Sequence, residues 1–143
     1  MTDRGQTRDR RSGVWQARRL GRSLLVVVGL LSSACTATEE SIQKSQGYYQ
    51  EGIASLSGDR QKAFVSFQKS VQLNPKNKES RYGLGHVYVL QGKLALAEEE
   101  FRTAIKIDDA YSEAHTYLGQ VLATQGKWDE AIQSYRAALA NPL

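Results

Sequence analysis

The strongest constraint on this chain is that it resembles itself at a shift of 34 residues. Gly58, Gly92 and Gly126 fall at that spacing, as do Ala63, Ala97 and Ala131, and then Phe67, Phe101 and Tyr135. Ser70, Ala104 and Ala138 follow it too, with Val71, Ile105 and Leu139 one place on. Leu84-Gly85 returns as Leu118-Gly119. A fixed period of this length means stacked supersecondary units, none of which buries its apolar face alone.

Within one period the pattern is helical twice over. Leu84, Gly85, Tyr88 and Val89 recur at helical spacing, and so do Ala97, Phe101, Ala104 and Ile105. Gln91-Gly92 breaks the run between them, as a tight helix–helix turn requires. The same logic along the chain predicts helices at about 42–56, 60–73, 78–91, 94–107, 112–125 and 128–140. Gly52 lies 33 residues before Gly85, one short of the period, which predicts a shortened turn near Ser57. Asn74-Pro75 ends a helix, because proline lacks an amide donor and biases the preceding residue away from helix.

These columns resemble the tetratricopeptide repeat. Repeat 2 carries Leu84, Gly85, Tyr88, Ala97, Phe101 and Ala104 at the signature positions. Repeat 3 carries Leu118, Gly119, Ala131, Tyr135 and Ala138, with Leu122 in place of the first-helix tyrosine. Repeat 1 is the most divergent: Gly52, Ala63, Phe67 and Pro75 fit, while Glu51 stands where a leucine is usual. Arg81 and His115 replace the signature tryptophan. The resemblance implies an all-α fold, a short right-handed superhelical solenoid of about three helix-turn-helix units over 46–143, divided at roughly 42–77, 78–111 and 112–143. It implies that Gly85, Gly119, Ala97 and Ala131 mark close helix approaches, and that Phe101 and Tyr135 fill the space between units.

In this family the first helices line a concave groove that takes protein partners. The stripe there would hold Tyr49, Ile53 and Leu56, then Glu79, Tyr82, His86 and Val89, then Glu113, Thr116 and Gln120, each set sharing one helical face. Its aromatic and apolar front suits an extended or helical peptide segment. The plainer reading is that Tyr49 and Tyr82 cover helix–helix seams. Some relatives grip a C-terminal carboxylate with groove cations. The corresponding positions here are Tyr49, Ile53, Gly83, Glu113 and Tyr117, so such a clamp is not expected.

No catalytic residue, metal site or cofactor is expected. His86 and His115 have no ligand partner at a metal-binding spacing. Glu98-Glu99-Glu100 reads as a solvated outer face, within reach of Lys93 and Arg102.

The N-terminal residues carry a different message. Seven arginines and two aspartates precede the apolar run Leu24–Leu31, then come Ser32, Ser33, Ala34 and Cys35. Eight apolar residues are too few to span a bilayer, which needs ~20, but suit the core of a secretory signal. LSSAC resembles the lipobox of bacterial lipoproteins, with Ser32 where an aliphatic residue is usual. That implies a signal peptide at 1–34, acylation of Cys35, and a tether at 35–45. Thr36 after the cysteine leans toward the outer membrane, facing the periplasm, rather than the inner. From Cys35 onward twelve Lys/Arg meet thirteen Asp/Glu, so the overall charge of +4 belongs to the leader and no nucleic acid is expected.

Leader, tether and repeats in this order resemble the pilotin-type lipoproteins of type IV pilus biogenesis. That layout implies a secretin, or another envelope protein, as partner. The alternatives are an adaptor for cell-wall hydrolases or outer-membrane protein assembly, and a regulatory module of a longer enzyme. Asn141-Pro142-Leu143 follows the last helix directly. The reading there is a piece of a longer chain, self-association or a partner on the C-terminal helix, or a helix left partly bare.

Overall fold

The computed structural model describes residues 38–140. Among them are six helices and no strands. Helix α1 covers 38–55. It is followed by α2 (Arg60–Leu73), α3 (Lys78–Leu90), α4 (Leu94–Ile107), α5 (Ser112–Thr124) and α6 (Trp128–Ala140). Consecutive helices pack as antiparallel neighbours across three- or four-residue links. The all-α solenoid read from the 34-residue period is therefore the fold observed. The signal peptide at 1–34, Cys35 and the C-terminal tripeptide lie outside the described residues. The helix already runs at 38, so the described part of the expected tether, 38–45, is helical, and Ser45 within it is fully buried.

The turns inside repeats 2 and 3 close the same way. Gly92 and Gly126 sit at φ 71° and 77°, a left-handed conformation that costs a side chain dearly and glycine little. There the Lys93 amide donates to the Tyr88 carbonyl and the Gly92 amide to the Val89 carbonyl, a Schellman closure that satisfies two orphan carbonyls. Lys127 and Gly126 repeat it with Leu122 and Ala123.

Repeat 1 closes differently, and the predicted shortened turn near Ser57 is corrected. Its link, 56–59, is one residue longer than 91–93, not shorter. The missing residue comes out of the helix: α1 ends three residues after Gly52, whereas α3 runs five beyond Gly85. Gly58 is not left-handed. Asp59 then caps α2, accepting from the Lys62 amide at 2.9 Å.

The signature residues hold the helices of each unit together. Ala63, Ala97, Ala104, Phe67 and Phe101 are wholly buried, and Leu84, Leu118, Ala131 and Ala138 nearly so. A Cβ on Gly52 would lie 2.6 Å from the Phe67 ring; on Gly85, 2.6 Å from Phe101; on Gly119, 2.8 Å from Tyr135. Each glycine thus makes room for the aromatic ring of its own repeat's second helix. Tyr88 meets the edge of Phe64, with centroids 5.6 Å apart, and so stitches α3 to α2. Tyr135 departs from the expectation that it fills an inter-unit space. It is 38% exposed where Phe101 is buried, because no described helix follows α6.

The Glu98–Glu100 reading is also corrected. Only Glu99 is exposed. Glu98 bridges Arg102 at 3.0 Å and Lys127 at 2.8 Å, and Glu100 accepts from Arg81 at 3.0 Å. Arg102 also reaches Glu130 at 2.7 Å, so these ion pairs tie α4 to α3 and α6. Arg102 pairs as expected; the other partners are Lys127 and Arg81 in place of Lys93.

Candidate functional site

The first helices bring part of the predicted stripe together. Tyr49 on α1 lies close enough to Glu79 on α3 and Glu113 on α5 for both carboxylates to act on its hydroxyl; burial, then these charges, holds it above the usual tyrosine value. Tyr82 stands at the centre. Its ring meets Phe101 at 5.8 Å, Tyr111 at 5.6 Å and Tyr117 at 5.4 Å between centroids. Burial, followed by its neighbour Tyr117, pushes the Tyr82 phenol well above its ordinary range. Tyr111 is raised likewise, by burial and then by Glu113. All these phenols are neutral donors near neutral pH.

His86 extends the cluster. Its ring stands edge-on to Tyr117, at 5.4 Å and 79°. Its Nδ1 is buried without a protein partner, and burial lowers its affinity for a proton. Lys78 belongs to the same face. It pairs with Asp108, lies 4.9 Å over the Tyr111 ring, and is held protonated above the usual lysine value chiefly by that Asp108 bond.

The remaining stripe residues divide. Leu56 and Val89 turn inward and pack on the two hydrophobic clusters, so they are core. Ile53 is 42% exposed; Thr116 and Gln120 are exposed as well, and the Thr116 hydroxyl donates back to the Ser112 carbonyl. Tyr111 and Tyr117 were not singled out as binding residues. Tyr111 lies in the link before α5, where a helical stripe does not reach. Tyr117 was weighed only as a place that lacks a clamp cation. The aromatic count at the α3–α5 junction was the signal that pointed to them.

The resulting face is an aromatic floor of Tyr49, Tyr82, Tyr111 and Tyr117 with Glu79 and Glu113 on it. Its one cation, Lys78, is matched by Asp108. Tyrosine rings with carboxylates beside them favour apolar and cationic groups through ring-face attraction and charge. No cluster of three or more metal-ligating side chains occurs among the described residues. A separate cavity of about 380 Å³ opens between α4, α5 and α6, lined by Arg102, Ile105, His115, Leu118 and Glu130 among others. None of the stripe residues lines it.

Three stacked helix-turn-helix units with small-residue approaches define a helical-repeat scaffold. The tetratricopeptide-repeat signature matches residues 57–112 and 82–142, and the chain belongs to that family. No curated protein matches the sequence. Among solved structures, the second such domain of Spaghetti (RPAP3), bound to the HSP90 peptide SRMEEVD, has a TM-score of 0.72 at 21% identity, covering 75% of this chain and 99% of that one. A crystal structure of MamA has a TM-score of 0.65 at 28% identity, covering 68% of this chain. The chain spans 58% of that MamA chain. An O-GlcNAc transferase of Thermobaculum terrenum is similar at 25% identity and TM-score 0.66, over 70% of this chain and 19% of that one.

Proposed function

We propose that this protein is a non-catalytic scaffold that binds a segment of a partner protein on its first-helix face. The observation that supports this most is the gathering of Tyr49, Glu79, Tyr82 and Glu113 from three separate helices. A helix seam needs apolar cover; it does not need two carboxylates beside the rings. The chemistry of the face favours an extended segment carrying an apolar side chain and a Lys or Arg. It does not suit an acidic tail of the SRMEEVD kind, because Glu79 and Glu113 would repel it and no free cation receives it.

The test is a display selection for short peptides, followed by affinity measurement on variants. Tyr49→Ala and Glu113→Lys should each weaken a selected peptide by about tenfold or more, equivalent to roughly 1.4 kcal/mol. Selected peptides that bind both variants as tightly as the parent would sink the reading.

The setting we propose is the bacterial envelope, on the outer membrane and facing the periplasm, with Cys35 acylated and the array held beside the bilayer. The arginine-rich leader, the Leu24–Leu31 run and the lone cysteine favour this. A secretin subunit of a type IV pilus is the partner this layout favours. A hydrolase or outer-membrane assembly factor is the second reading, and a regulatory module of a longer enzyme the third. Cys35→Ser should release the protein from the membrane fraction; a variant that stays there counts against the anchor. Recovery of a hydrolase without a secretin, in a pull-down from envelope extract, overturns the pilus assignment.

A further inference from the structure

The two ends of the array are chemically unlike. Along the outer face of α1 run Gln43, Gly47, Gln50 and Ala54, all exposed, with Gln46 beside them. This end is polar and closes the stack. Along α6 run Trp128, Ile132, Tyr135 and Leu139, which are 64, 48, 38 and 80% exposed. Their spacings of four, three and four residues place them within one narrow stripe. In repeat 2 the counterparts of Trp128, Tyr135 and Leu139 are Leu94, Phe101 and Ile105, which pack in the cluster that α5 covers. On α6 that cover is missing among the described residues.

We infer that the α6 stripe pairs with the α6 stripe of a second copy, antiparallel, across a two-fold axis. The stripe reads the same from both ends. When Trp128 lies opposite Leu139 of the other copy, Ile132 lies opposite its Tyr135, and the two mirror contacts follow by symmetry. The two large–small pairings repeat, so no apolar residue faces a gap. The charges on the flank obey the same symmetry. Asp129 and Arg136 both lie beside the stripe, on the side away from α5, and neither has an ion-pair partner within its own chain. Antiparallel pairing brings each Asp129 near the Arg136 of the other copy, twice per dimer, while parallel pairing sets like charges together. Ser134 and Ala138 turn inward on α6, so the stripe is free of the intramolecular packing.

A head-to-tail stack is disfavoured, because it would press the apolar α6 against the glutamines of α1. Isologous pairing closes on itself and yields a dimer rather than a fibre. A single helix pair buries less than the roughly 1,200 Å² of a standard interface, so the dimer is weak and reversible.

Sedimentation equilibrium of the full chain, over roughly 1–300 µM, should show monomer and dimer and nothing larger. Leu139→Glu, at a site folding does not use, should raise the dimer Kd by about tenfold or more. Asp129→Arg and Arg136→Asp should each weaken the dimer, and the two together should restore it to within about threefold of the parent, a difference below one tenfold step. Circular dichroism should be unchanged for all four. A monomer throughout, open-ended assemblies, a dimer indifferent to Leu139→Glu, or a double reversal no better than the singles would each overturn the inference.

Discussion

The two joints of the array do the same structural job with opposite chemistry. Between repeats 1 and 2 the joint is polar at its heart. The Ser70 hydroxyl lies 2.9 Å from that of Ser45 and 2.6 Å from that of Ser80, and donates to the Ser45 carbonyl at 2.7 Å. Asn77 donates to the Ser45 hydroxyl at 3.1 Å and accepts from the Ser80 amide, so it also caps α3. All four residues are buried. One period later Ser70, Asn77 and Ser80 become Ala104, Tyr111 and Ala114, and that joint is apolar and aromatic. Gly83 and Tyr117 make the same exchange. A Cβ on Gly83 would lie 2.7 Å from the Phe67 ring, whereas Tyr117 lays its own ring on Phe101. A polar joint depends on direction and fails if one partner is lost; an aromatic joint depends on area. The binding face sits over the aromatic one.

The largest effect should come from the ring that anchors the aromatic joint. Phe101→Ala should cost about 3–5 kcal/mol, read as a fall in the urea midpoint by circular dichroism. Phe67→Ala at the polar joint falls in the same class, but the Ser70 network survives it. The comparison breaks if Phe67→Ala proves the more damaging of the two. Tyr117→Ala is next, at about 2 kcal/mol, below the full-burial range because the residue is half-buried. It should also weaken peptide binding, since it withdraws the floor under Tyr82 and His86.

The polar joint gives a sharper, smaller test. Ser70→Ala removes the only printed partner of the Ser80 hydroxyl and should cost about 1–3 kcal/mol, as a stranded buried group does. Ser70→Ala with Ser80→Ala copies Ala104 and Ala114 and strands nothing at position 80. The double variant should therefore be less destabilised than the single one. Strictly additive losses in denaturant melts would show that the network is not a unit.

Much of the fold was legible because packing repeats when sequence repeats. Gly85 and Phe101 share a period with Gly119 and Tyr135, so one structural reason predicts both pairs. The polar joint was not legible, because Ser45, Ser70, Asn77 and Ser80 are scattered and each looks like a surface residue alone. The end of α1 was misread for a related reason: a one-residue deficit locates a change without saying whether helix or turn absorbs it. At the candidate site, helical spacing found Tyr49, Glu79, Tyr82, His86 and Glu113. It placed Leu56 and Val89 on the same stripe although they turn into the core, because each helix tilts across its neighbours and the stripe leaves the surface at its C-terminal end. Tyr111 escaped because it lies between helices.

The smallest expected effect separates the joints by pH. His86 belongs to the aromatic joint, and no histidine belongs to the polar one. Burial holds its proton affinity in the folded state below the ordinary value of 6.5, and its Nδ1 has no protein partner to repay a charge. The unfolded chain therefore binds the proton more readily. Stability from the neutral ring is fully present above 6.5 and is lost as the pH falls from there toward the lowered folded value. The groups around His86 do not oppose this: Tyr82 and Tyr117 stay neutral through that range, and Lys78 stays charged and paired with Asp108. Thermal melts of the parent chain should thus lose midpoint between pH 7 and about 5, the range where histidine protonates. His86→Gln should flatten that slope while leaving the acid loss from carboxylates such as Glu98 and Asp108, whose ion pairs hold them below their usual values, to appear at lower pH. A parent and variant with superimposable profiles over that window would show that His86 does not sense the joint.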